Sequence, residues 1–140
     1  MLTFIIQNTR ERLQKKNSKK GLSITTSSTA GDIAVVSLNG KIDFEAAALL
    51  EVRIQELSKT GIRKLALDLS GVTGMDSTGL GEIIAIYNRF AADGGEVCVA
   101  DLSDRIRLLF EYAKLHFVFR IFTNVASATE YLGKLGDGRL

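Results

Sequence analysis

Asp76-Ser77-Thr78 is the run of the chain best suited to chemistry: a carboxylate and two hydroxyls in succession, with Gly79, Leu80 and Gly81 behind them. All three side chains can cap a helix, and Leu80, Ile83, Ile84, Tyr87 and Ala91 follow at helical spacing. A helix start presents unpaired backbone N–H groups and the positive end of the helix dipole. Phosphate is stabilised there, either as a ligand or on a modified serine. Capping alone is the commoner role of such residues. Gly79 and Gly81 point further, because a glycine gives up roughly 0.5–1 kcal/mol relative to alanine in a helix interior. Either another group approaches that backbone closely, or the helix packs tightly on a sheet.

Other reactive side chains are few. A nucleophilic hydrolase needs a base within hydrogen-bond reach of its serine or cysteine. The single histidine, His116, sits in an apolar stretch two strands beyond Ser77 in chain order and reads as structural. Cys98, between Val97 and Val99, reads as a buried and inert thiol. One His and one Cys cannot build a zinc site. Asp43, Asp68 and Asp76 could in principle hold Mg²⁺ with a phosphate, but Asp43 reads equally well as a helix cap and Asp68 as a strand-end residue. There is no Walker-type loop. These residues do not suggest an enzyme, and no cofactor is expected.

The elements that must position the Asp76-Ser77-Thr78 run alternate in type. Leu22 to Ser28 and Ile33 to Leu38 read as two strands joined by the loop Thr29-Ala30-Gly31-Asp32, and Asn39-Gly40 as a turn. Asp43 caps a helix with Ala46, Leu50, Ile54 and Leu57 on its inner face, ended by Gly61. Leu65, Leu67 and Leu69 mark a strand covered on both faces, which Ser70-Gly71 and Thr73-Gly74 are expected to break. Asp93-Gly94-Gly95 ends the helix that begins at Asp76. Glu96 to Ala100 is a strand, and Asp101 to Asp104 cap a helix with Ile106, Leu109, Phe110 and Ala113 inward. Phe117 to Phe122 reads as a last buried strand. Thr123-Asn124 cap a final helix with Val125, Ala128 and Leu132 inward. Strand–helix alternation after an opening hairpin predicts an α/β fold with a mixed, mostly parallel sheet and about four helices.

At 140 residues, 46% hydrophobic and 24% charged, the chain has the size and composition of one folded domain. No apolar run approaches the roughly 20 residues of a membrane-spanning helix. Met1 to Ile6 place the short apolar part ahead of the positive charges, the reverse of a signal peptide. A lone cysteine excludes an intramolecular disulfide and fits a reducing cytoplasm. The formal charge of +2 is split: residues 1–21 hold six positive side chains and one negative, residues 22–140 twelve positive and fifteen negative. The basic balance therefore belongs to the extension, and direct nucleic-acid binding by the domain is not expected. Residues 1–21 are expected to be a solvated extension and 134–140 a frayed end. Membrane contact by the basic arm is a minority reading.

The run Asp68-Leu69-Ser70-Gly71-Val72, followed by Met75-Asp76-Ser77-Thr78-Gly79-Leu80-Gly81, resembles the signature of STAS domains, the anti-sigma factor antagonists of bacteria. That signature is approximately D-L-S-x-V-x-x-x-D-S-[ST]-G-L. Gly40-Lys41-Ile42-Asp43 is similar to the family's G-x-[ILV]-D before its first helix, and residues 119–132 to its last strand and helix. The likeness runs over roughly 22–133. Two features depart from it. Lys114 stands where the family usually has glycine near the end of the third helix, so that turn takes another form or carries strain. The arm 1–21 lies outside the family pattern.

The resemblance implies a switchable binding module. In the family, the unphosphorylated antagonist binds an anti-sigma factor that is also a serine kinase, and so frees the sigma factor. The kinase phosphorylates the serine matching Ser77, the complex dissociates, and a serine phosphatase resets it. Thr78 is the fallback acceptor. Asp43, Asp76, Ser77, Thr78, Gly79 and Leu80 are the implied partner-binding residues. The family also includes constitutive scaffolds and regulatory subunits of sensory or transport complexes, in which Ser77 would be only a cap. A nucleotide at the 77–81 helix start is a third reading, and a homodimer is left open.

Overall fold

The computed structural model describes residues 21–29 and 31–135. The basic arm through Lys20, Ala30 of the expected loop and residues 136–140 of the expected frayed end lie outside the described residues. β1 (Ser23–Ser28) and β2 (Ile33–Ile42) form the opening hairpin; α1 (Phe44–Ser58), β3 (Lys64–Met75), α2 (Ser77–Ala92) and β4 (Glu96–Ala100) follow. Then come α3 (Asp104–Tyr112), a 3-10 turn (Leu115–Phe117), β5 (Ile121–Phe122) and α4 (Val125–Lys134). The five strands lie in chain order across one sheet. β1 is antiparallel to β2, and every later neighbour is parallel. Parallel neighbours joined by helical crossovers put all the helix starts at one edge of the sheet, the carboxyl end of the parallel strands.

Each sheet face buries a different set of residues, as the period-two alternation of strands requires. On one face, Val36, Leu38, Leu65, Leu67, Leu69, Val97 and Val99 pack with Leu50, Ile54, Ile83, Ile86, Ile106 and Phe110 from α1, α2 and α3. On the other, Ile33, Val35, Ala66, Cys98 and Ala100 pack with Ala128 and Leu132 of α4. The expected stripe of α1 is found, with Leu57 only half-buried and Ala47 buried beside Ala46. The stripe of α2 is rotated from expectation: Ile83, Ile86 and Phe90 are buried with Gly79, while Ala91 is exposed.

Two strand boundaries differ from the sequence reading. Ser70-Gly71 and Thr73-Gly74 do not break β3, and Asn39-Gly40 do not end β2. Both strands run on, side by side, to Ile42 and Met75. The register shifts between Ser37 and Asn39 and again between Gly40 and Lys41, so β3 carries an extra residue at each place. The turn-forming residues are absorbed as bulges. At the first, a Cβ on Gly71 would displace the Asn39 side chain and stand 3.0 Å from the Leu38 carbonyl oxygen, so the two strands pack closely there. Asp68 holds the same region, accepting hydrogen bonds from the Ser37 hydroxyl (3.1 Å) and from the Ser70 N–H (3.0 Å).

The last strand is the other correction. Only Ile121 and Phe122 pair with β4, while Phe117 is 78% exposed. The cause lies at Lys114, whose φ of 63° and ψ of 21° place a non-glycine residue in the left-handed region. The chain leaves α3 through that residue into a 3-10 turn that faces Phe117 outward. Phe119 is the side chain that turns inward, 5.2 Å edge-on to Tyr87 and 5.9 Å from Phe110.

Candidate functional site

Ile42 and Met75 are register partners at the ends of β2 and β3. The next residue on each strand is an aspartate, and each aspartate caps a helix. Asp43 Oδ1 accepts the Ala46 N–H at 3.0 Å, opening α1. Asp76 Oδ1 accepts the Gly79 N–H at 2.9 Å, opening α2. The Asp76 N–H in turn donates to the Ile42 carbonyl at 3.3 Å, tying the second cap to the strand that delivers the first. Two helix N-termini therefore start from adjacent strands at one edge. The sequence-predicted residues Asp43, Asp76, Ser77, Thr78, Gly79 and Leu80 all belong to this edge.

Their exposure divides them. Asp76, Ser77 and Thr78 are exposed, Asp43 and Leu80 are half-buried, and Gly79 is buried. Gly79 is where the backbone comes closest: an added Cβ would overlap the Ile42 carbonyl. Gly81, the other glycine of the first turn, meets nothing within 4 Å. Close helix–sheet packing thus explains Gly79 and leaves Gly81 without a packing reason. Ser77 occupies the first helical position, where backbone N–H groups have no intrahelical partner. A negative group on its hydroxyl is stabilised by that helix end without entering the core.

The remaining candidates are placed elsewhere. His116 is exposed in the 3-10 turn and stacks on Phe117 with centroids 4.1 Å apart. Cys98 is buried on the α4 side of β4, and burial pushes its thiol up to about 12. Among the described residues no group of three His, Cys, Asp or Glu side chains could hold a metal ion, and no helix is long and apolar enough to cross a membrane.

Sequence reasoning missed the surface around the edge. Phe44, directly after Asp43, is 72% exposed. A shallow groove of about 550 Å³ runs from the β2 and β3 ends to α3, lined by Lys41, Gly74, Met75, Arg105, Leu108 and Leu109. Leu108 is 65% exposed there, and Arg105 Nη1 donates to the Thr73 carbonyl at 3.4 Å. The signal was available: Phe44 lies off the Ala46–Leu50–Ile54 stripe, and Leu108 off the Ile106–Phe110 stripe. Glu82 was also missed. Burial first, and the Glu51 carboxylate second, raise it to about 7, against the pull of Arg89.

Comparison with known proteins places these features in context. A family model described as STAS domain matches residues 25–128. An anti-sigma F factor antagonist of Paenibacillus polymyxa is 26% identical over 97 residues, covering 69% of this chain and 83% of that protein. An anti-sigma-B factor antagonist of Bacillus subtilis is 31% identical over 86 residues, covering 61% and 78%. The Bacillus cell fate determinant SpoIIAA, solved in its phosphorylated form, shares the fold with a TM-score of 0.64 at 16% identity, over 78% of this chain and 98% of that one.

Proposed function

Because this chain belongs to the STAS domain family, we propose that it is an anti-sigma factor antagonist whose binding is switched by phosphorylation of Ser77. The observation that carries the reading is the position of Ser77: exposed, first in its helix, directly after the aspartate cap. Its neutral hydroxyl stands between Asp76 and Thr78 on a surface that also offers Asp43 and Phe44. A partner, an anti-sigma factor that is also a serine kinase, docks on this surface while Ser77 is unmodified. Phosphorylation adds about −1.5 to −2 charges at neutral pH. The helix N-terminus accommodates that charge within the domain, but a partner fitted to a neutral serine loses by repulsion and desolvation. The complex dissociates while the domain stays folded, and a serine phosphatase restores the binding form. The names of the two relatives support the antagonist role, and the phosphorylated Bacillus structure supports a phosphorylated state in this fold.

The test is intact mass of the protein from its own cells, with peptide mapping across residues 65–89. One phosphate on Ser77 is expected. Phosphate on Thr78 would move the acceptor by one residue. Unmodified protein under every growth condition would favour a second reading, a constitutive scaffold. The cap bond from Gly79 to Asp76 supports that alternative, because it explains Asp76 without a partner.

A further inference from the structure

The charged residues lining the groove beside Ser77 are both cations: Lys41 from the end of β2 and Arg105 from the first turn of α3. Both are exposed, and neither makes an ion pair among the described residues. Carboxylates are close in the chain, since Asp43 follows Lys41 by two positions and Asp104 directly precedes Arg105. Asp43 and Asp76 are instead turned to their own helix starts, capping α1 and α2. Arg105 donates Nη1 to the Thr73 carbonyl at 3.4 Å, which takes one of the five donors of a guanidinium. That bond holds the side chain at the groove without neutralising its charge.

The rest of the lining is apolar. Met75, Leu108 and Leu109 form it with Gly74, and Leu108 leaves 65% of its surface exposed. Exposed apolar surface marks an interaction site, and flanking charges of one sign select an occupant of the other. Shape narrows the class further. A small-molecule site encloses most of its ligand, whereas a shallow groove of about 550 Å³ covers one side only. That suits a segment of a protein whose other side is covered by its own fold. Met75 directly precedes the Asp76 cap and lies two residues before Ser77, so a partner seated over Ser77 adjoins the groove.

We infer that the groove receives an acidic segment of the protein partner, with an apolar side chain seated on Met75, Leu108 and Leu109 and carboxylates paired to Lys41 and Arg105. That the partner is the anti-sigma factor rests on the proposed function. The edge then has two parts with different work. Ser77 decides whether the complex persists, and the groove cations draw the partner in and set its orientation. Exposed charges of this kind act on the association rate and are screened by salt, while the apolar seat acts on the lifetime of the complex.

The test is stopped-flow association of the full chain with the anti-sigma factor of the same genome, at low and at high salt. Lys41→Glu is expected to slow association by about 10-fold at low salt, with the gap closing as salt is added. Leu108→Asp is expected to weaken the affinity by about 10-fold or more. Both residues are exposed, so neither substitution reaches the core. Lys134→Glu makes the same charge change at an exposed position of α4, across the sheet, and should bind as the parent does. Groove variants that bind like the parent would overturn the inference. So would faster association of Lys41→Glu, or equal slowing by Lys134→Glu, since net charge alone would then be at work. Sedimentation of the protein by itself adds one more check: a dimer that Leu108→Asp dissolves would make a second copy the occupant and overturn the inference as well. Ser77→Asp, run alongside, separates the two readings. Loss of binding in Ser77→Asp with unaffected groove variants would leave the switch standing without the groove, and the reverse pattern would leave the groove without the switch. A parent chain that does not bind this protein would remove both.

Discussion

Gly79 of α2 and Ile42 of β2 touch backbone to backbone. A Cβ on Gly79 would overlap the Ile42 carbonyl oxygen and approach Ile42 Cγ2 to 3.1 Å. That carbonyl also accepts the Asp76 N–H. The start of α2 is therefore clamped against the strand that delivers Asp43, and the position of Ser77 follows from the clamp. Gly79→Ala is expected to destabilise the fold by about 1–3 kcal/mol through forced displacement of packed backbone. Gly81→Ala, with open space around it, should instead add roughly 0.5–1 kcal/mol. Urea unfolding of the two variants checks the opposite signs.

The aspartate caps separate stability from charge. Asp43→Ala and Asp76→Ala each remove an acceptor from a helix start and should cost about 1 kcal/mol. Asp76→Asn keeps the acceptor and should stay within about 0.5 kcal/mol of the parent. Thermal unfolding measures both effects. A loss of partner binding in Asp76→Asn, with stability retained, would assign the carboxylate charge to docking.

Glu82 gives stability a defined pH dependence. Its carboxyl is raised from 4.5 to about 7 in the folded state, by burial first and by Glu51 second. In the unfolded chain it ionises at the lower value. Between pH 4.5 and about 7 the folded state holds a proton that the unfolded state has released. Stability contributed by the neutral carboxyl is thus complete below 4.5 and is lost as pH rises through about 7. Glu82 is only half-buried, so solvent screening reduces the change to about 1 kcal/mol. Chemical denaturation at a series of pH values should show this slope in the parent and its loss in Glu82→Gln.

Lys114 holds a φ of 63°. A left-handed non-glycine residue costs roughly 1–2 kcal/mol, part of which glycine recovers after its larger unfolded-state entropy is subtracted. Lys114→Gly should raise stability by up to about 1 kcal/mol, seen as a higher midpoint in thermal unfolding.

Much of the fold was legible because its punctuation is local. Asp43, Asp76, Ser103 and Asn124 cap the four helices, each accepting an N–H from the first turn. The apolar runs of β3 and β4 show which strands are covered on both faces. What stayed hidden depends on neighbours. Ser70-Gly71 and Thr73-Gly74 carry turn chemistry, and only pairing with an extended β2 turns them into bulges. Phe117 has the residue type of a buried strand, but the left-handed Lys114 directs it to solvent. At the site, the capping residues were readable from their types and the signature. The groove was not, since Lys41, Met75 and Leu108 meet only through β2–β3 pairing and the packing of α3.

The most direct measurement on the switch is the affinity for the anti-sigma factor of the same genome, compared between the parent protein and Ser77→Asp by calorimetry. Placing a charge at the centre of a fitted surface should weaken binding by about 30-fold or more, equivalent to about 2 kcal/mol. Equal affinity of the two proteins for that partner would contradict a phosphorylation switch at Ser77.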